Sequence, residues 1–207
     1  MKRINTVVGA VDIDSLGTVL PHEHLLINLE NQYPGKKDVF GVDCDNDRVS
    51  LENLGYLRRD CYLLRDNLIL DDADLAAEEI MFFKRAGGAA LLDLTPVGVG
   101  RDAEKLAEIS RKTGVNIILG TATYTHDAIP DYLADMSVYE LADFFEHELT
   151  VGVDGTDIKA GVIGEIGTSD KIYPVEEKAL RAAALASLKT GAPIFIHTYP
   201  WGKAGLD

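Results

Sequence analysis

Two histidines two positions apart, His22 and His24 in the stretch Leu20-Pro21-His22-Glu23-His24-Leu25, are the residues best placed to do chemistry. On a β-strand the side-chain period is two, so both imidazoles point the same way, roughly 6 to 7 Å apart, within reach of one metal ion. Thr18-Val19-Leu20 reads as the strand itself, and Pro21 fits where ladder hydrogen bonding ends, which sets the pair at the carboxyl end of that strand. Two ordinary histidines lining a strand end would show the same pattern, so the later strands decide between the readings. Two of them end in further ligand types: Glu165 in the run 160–167 and His197 in the run 192–198. Imidazoles combined with a carboxylate are the donor set of a catalytic zinc, or of manganese, iron or cobalt, with one position left open for water. Such an ion lowers the pKa of its water towards 7 and polarises the bond under attack, which is hydrolytic chemistry.

The elements that must position these groups alternate along the chain. Two β-branched runs within 4–17, Thr6-Val7-Val8 and Val11-Asp12-Ile13 separated by Gly9-Ala10, predict a hairpin ahead of the first long strand. A polar loop rich in Asn, Asp and Gly spans about 28–50, a length usual for functional or mobile loops. Ser50 could cap a helix to about Asp66, with Leu51, Leu54, Leu57, Cys61 and Leu64 at helical spacing, and a second helix runs from Leu75 to Arg85. Buried-type strands follow at 89–95, 116–122, 160–167 and 192–198, separated by helices at 101–113, 137–149 and 175–189. Near-continuous apolar strands alternating with helices mean a parallel sheet covered by helices. In a parallel α/β barrel the carboxyl ends of all strands meet at one face, so His22, His24, Glu165 and His197 converge there.

Composition narrows the function class. The 207 residues, 46% hydrophobic and 26% charged, are ordinary for one globular domain. With 34 acidic against 20 basic side chains the formal charge is −14, which would repel a nucleic-acid backbone or an anionic membrane face. The start of the chain has no apolar leader run, and nowhere is there an apolar stretch of membrane-spanning length. Cys44 and Cys61 form neither a CxxC motif nor a disulfide framework, and a reducing cytoplasm is the expected location. His126 and His147 are expected to face solvent. Asp102 is expected as an acid at a helix start, and Arg101 as part of that start, at the rim or against an anion.

The strings Leu20-Pro21-His22-Glu23-His24, Lys159-Ala160-Gly161-Val162-Ile163-Gly164-Glu165-Ile166-Gly167-Thr168-Ser169 and Pro193-Ile194-Phe195-Ile196-His197-Thr198 resemble the phosphotriesterase-related branch of the amidohydrolase superfamily. The similarity runs nearly end to end and includes 98–102 and 120–124. It implies a TIM (β/α)8 barrel with two divalent ions, zinc first among the candidates, bridged by a hydroxide. His22 and His24 would hold the first ion, Glu165 would bridge the pair, and His197 would bind the second. Organophosphate-degrading members bridge their metals with a carboxylated lysine, where this chain offers Glu165, so the resemblance points away from paraoxon and towards esters, lactones or amides as small-molecule substrates. Tyr124 resembles the tyrosine that leans over the metals in lactonase-like members, the alternative being a rim aromatic with its hydroxyl in water.

A complete barrel has eight strand and helix units in typically about 250 residues, and this chain supplies five strands. In the resembled family a histidine from the sixth strand and a proton-shuttling aspartate from the eighth complete the site, and no residue here is nominated for either role. The expectation is therefore a single incomplete barrel domain, 1–207, with open edges that invite a homo-oligomer or a complementing chain. The alternative to an active metal-dependent hydrolase is a metal-binding fragment without turnover, or one completed by a second chain.

Overall fold

The computed structural model describes residues 2–35, 38, 39 and 41–206; Met1, Lys36, Lys37, Phe40 and Asp207, which fall in the expected 1–207 domain, lie outside the described residues. The chain opens with a hairpin of β1 (Arg3–Thr6) and β2 (Gly9–Asp12). Its turn is at Val7-Val8, two residues before the predicted one. Val7 leaves the ladder because its side chain is buried and its N–H donates to the Ile117 carbonyl (2.9 Å), while Gly9 takes the positive φ of 124° that closes the turn.

Next come β3 (Thr18–Glu23), β4 (Ile27–Asn28), β5 (Asp38–Val39), β6 (Val42–Asp43), the one-turn helix α1 (Leu54–Leu57), and β7 (Ile69–Leu70), which pairs with β4. The predicted helix from Ser50 to Asp66 is thus reduced to α1 and a 3-10 turn at Arg65–Leu68. Local side-chain bonds compete for its backbone: Asn53 accepts from the Ser50 N–H and donates to the Arg48 carbonyl, and Asp60 accepts from the Tyr62 N–H. The leucines instead close a small satellite core, Leu57, Leu63 and Leu64 against Val42 and Cys44.

The remaining chain alternates as predicted, except that the one-turn α4 stands in the stretch expected to be a loop: α2 (Ala73–Arg85), β8 (Gly88–Asp93), α3 (Ala103–Thr113), β9 (Asn116–Thr121), α4 (Asp131–Ala134), α5 (Val138–Thr150), β10 (Val162–Gly167), α6 (Pro174–Thr190) and β11 (Ile194–His197). Asp72, Asp102 and Ser137 cap α2, α3 and α5 through backbone N–H groups of the first turn, and Gly114 and Gly191 end α3 and α6 in the left-handed conformation. Five strands form one parallel sheet in the order β11-β10-β9-β8-β3. Outward residues such as Ile117, Leu119 and Ile163 pack on the helices, and inward residues such as Leu92, Ile118 and Val162 form a second, inner layer. This is a partial (β/α)8 barrel, and its carboxyl face carries the site.

Candidate metal centre

Each predicted ligand sits at the carboxyl end of a sheet strand. His22 lies on β3 with His24 just beyond it, their ring centroids 5.2 Å apart. Glu165 on β10 is 2% exposed and lies between the rings. His22, His24 and Glu165 form the one group of potential metal ligands found among the described residues, with ligand atoms all within 4.8 Å of one another. His197, the last residue of β11, reaches the same carboxylate from the other side. Glu165 Oε2 is 2.9 Å from His22 Nε2 and 3.0 Å from His197 Nδ1, and Oε1 is 3.5 Å from His24 Nε2.

The donor set fits a cation. Oε2 of Glu165 is buried, yet neither nearby imidazole nitrogen meets hydrogen-bond geometry with it, so a buried anionic oxygen stands without a hydrogen bond amid ring nitrogens. A divalent ion on these donors removes that cost. His24 is set for the task by Thr95. The Thr95 hydroxyl donates to the Leu26 carbonyl (3.0 Å), so it accepts from His24 Nδ1–H (2.9 Å), which leaves the Nε2 lone pair facing Glu165. Burial pushes the His24 pKa down, which favours the neutral, ligating form.

Asp93, at the end of β8, completes this support. Its carboxylate is fully buried and accepts from the Leu25 N–H (2.9 Å) and the Thr95 N–H (3.1 Å), fixing both the chain after His24 and the threonine that orients it. Desolvation pushes its pKa up to about 6. Neither Asp93 nor Thr95 stands among the ligand types at the strand ends, although an acid inside the apolar run Leu91-Leu92-Asp93-Leu94 is itself a signal of a paired, buried role.

Tyr124 places its hydroxyl 3.3 Å from His197 Nε2, with the two rings 5.2 Å apart. It is therefore beside the ligand cluster and not a rim aromatic. Burial raises its phenol pKa well above the ordinary range. His126 is exposed, as expected, with its ring stacked on Tyr173 at 3.8 Å and its Nδ1 3.1 Å from Ser169 Oγ. One expectation is corrected. Arg101 is neither at the rim nor bound to an anion from solution. Its side chain is 1% exposed and pairs with Glu148 through two bonds (2.7 and 2.6 Å) and with Asp154 (3.0 and 2.6 Å). His147 is exposed, as expected.

Residues 2–207 match the model of the phosphotriesterase family. The chain belongs to the phosphotriesterase family. A phosphotriesterase-related protein of Nematostella vectensis is 39% identical over 196 residues, 93% of this chain and 56% of that protein. An N-acetyltaurine hydrolase of Tetraodon nigroviridis is 37% identical, covering 94% of this chain and 56% of that one. Among solved structures, a resiniferatoxin-binding protein from Rhodobacter sphaeroides superposes with a TM-score of 0.91 at 38% identity, over 96% of this chain and 55% of that chain. This family member thus spans a little over half the length of the relatives it matches.

Proposed function

We propose that the chain carries the ligand face of a metal-dependent hydrolase that cleaves a carboxyl ester, a lactone or an N-acyl amide. The observation that carries this reading is the convergence of His22, His24 and His197 on the buried Glu165 carboxylate at the ends of three parallel strands. Two divalent ions, zinc by donor type, would supply a hydroxide nucleophile at neutral pH and polarise the carbonyl under attack. His22 and His24 would hold one ion and His197, through the Nδ1 that faces Glu165, the other, with the Glu165 carboxylate serving both. That assignment leaves the His197 Nε2 proton to donate to the Tyr124 oxygen, so the Tyr124 O–H is free to donate to a substrate oxygen. Its raised pKa keeps it protonated, a neutral donor at the mouth of the site. Kinship with N-acetyltaurine hydrolases supports the amide among the three bonds. No helix among the described residues is long and apolar enough to cross a membrane, and the proposed location is the cytoplasm, supported by two cysteines not joined in a disulfide.

Metal analysis of the chain and of its His22→Ala and His24→Ala variants tests this. The parent is expected to hold about two zinc ions and each variant fewer. Turnover is then measured on p-nitrophenyl acetate, a γ-lactone and N-acetyltaurine, with paraoxon as the slow control. Equal metal content in all three proteins removes the first site and the hydrolase reading with it.

A further inference from the structure

Glu176 lies in the first turn of α6 with its side chain wholly buried. Capping the helix takes one bond, to the Tyr173 N–H just before it, and that bond is present at 3.0 Å. The carboxylate also accepts three hydrogen bonds that a cap does not need. Oε1 accepts from the His126 N–H (2.9 Å) and from the Ser169 hydroxyl (2.6 Å), and Oε2 accepts from the Ser169 N–H (3.1 Å). Because the Ser169 hydroxyl donates to Glu176, its oxygen accepts from His126 Nδ1–H at 3.1 Å, which closes a ring of bonds. His126 is in the loop after β9, two residues past Tyr124, and Ser169 is in the loop after β10, four residues past Glu165. One buried anion therefore ties together the two loops that flank the site.

Both connections continue to the reacting face. Thr168, next to Ser169, donates its N–H and its hydroxyl to the His197 carbonyl (2.8 and 3.1 Å). Gly167 donates to the Thr123 carbonyl (3.1 Å), and a Cβ at Gly167 would lie 2.6 Å from the Thr125 nitrogen and from the Tyr124 carbonyl carbon, so the two loops meet backbone to backbone at Tyr124. Tyr124 belongs to the first loop, and His197, at the end of β11, is held by its carbonyl to the second; the Tyr124 hydroxyl and the His197 ring are 3.3 Å apart. We propose that Glu176 is a positioning residue for the hydrolytic site: its carboxylate clamps His126 to Ser169 and thereby sets the Tyr124 hydroxyl against His197. This rests on the hydrolase reading above for its effect on turnover, but the clamp itself does not.

The test uses the full chain with Zn²⁺ and two variants, Glu176→Gln and Glu176→Ala. Glutamine keeps the shape but turns an NH₂ towards N–H and O–H donors that then lose their acceptor. Amide hydrogen exchange over residues 124–128 and 167–171 needs no turnover, and it is expected to quicken about tenfold in both segments while β8 is unchanged. On p-nitrophenyl acetate, kcat is expected to fall about tenfold with KM moving less than about twofold and bound zinc unchanged. In a Tyr124→Phe background the same substitution is expected to lower kcat by less than about twofold. The proposal is overturned by exchange that quickens in neither loop or only one, by lost zinc in Glu176→Gln, or by an equal loss of kcat without the Tyr124 hydroxyl. If alanine does not fold, glutamine decides. If the parent does not turn over the ester, the hydrolase reading falls, and the exchange result still rules for or against the clamp.

Discussion

Two buried carboxylates at neighbouring strand ends do opposite jobs. Glu165 Oε2 faces ring nitrogens and no hydrogen-bond donor in proper geometry, whereas Asp93 is satisfied by two backbone N–H groups. Burial is the largest influence on Asp93 and raises its pKa from 3.8 to about 6, with the charge on Glu165 adding to the rise. A carboxyl whose folded pKa is raised contributes stability that is fully present below its unfolded pKa and is lost as pH climbs through the folded value. In the metal-free chain, therefore, the free energy of unfolding should fall relative to Asp93→Asn between about pH 4 and pH 7, by about 3 kcal/mol for a two-unit shift. Urea unfolding of both proteins across that range checks it, and a pH-independent difference between them would contradict the assignment. His22, His24, Glu165 and His197 were legible from the sequence because ligand types at strand ends share a face. Glu176 was not, because its partners at 126 and 169 lie on other loops and nothing local marks it beyond a helix-start acid.

Arg101 shows how elements lock together. It sits just before α3, and its guanidinium runs into the protein to grip Glu148 near the end of α5, which also accepts a 2.5 Å bond from the Thr121 hydroxyl at the end of β9. Asp154 in the following loop supplies the second carboxylate. One side chain thus joins a loop, a helix end and a strand end. Removing it leaves Glu148 charged, buried and without its counter-ion, so Arg101→Met should destabilise the chain by about 3–5 kcal/mol in chemical unfolding. A loss under about 1 kcal/mol would mean the pair is energetically neutral in this setting. The sequence placed Arg101 at a helix start but could not show which way its side chain ran. Equally, the leucine spacing of 50–66 resembled a helix, and only the competing bonds of Asn53 and Asp60 and the satellite core around Cys44 redirected it.

Across the whole molecule, β3 and β11 form the two edges of the five-stranded sheet. On β11 the inner residues Phe195 and His197 are partly covered, while the outer Ile194 and Ile196 are 36% and 54% exposed, and Leu188 on α6 is 85% exposed. An unpaired edge flanked by apolar side chains pairs readily with another chain. The described chain should therefore self-associate at micromolar concentration, and Ile196→Lys should shift light-scattering mass towards the monomer. An unchanged mass distribution would mean that the β11 edge is not the contact.

What the sequence determined by itself was periodicity and composition: alternating strands and helices, their caps, and ligand-type residues at the carboxyl ends of strands, all of which depend on spacing within a few residues. Tertiary structure decided whatever depends on neighbours far apart in the chain. It brought Tyr124 to His197, placed Thr95 and Asp93 behind His24, and buried Glu176 and Arg101 among partners from other elements. The reason is physical: a buried charge is tolerated only where distant segments happen to supply its hydrogen bonds, and no local pattern encodes that meeting.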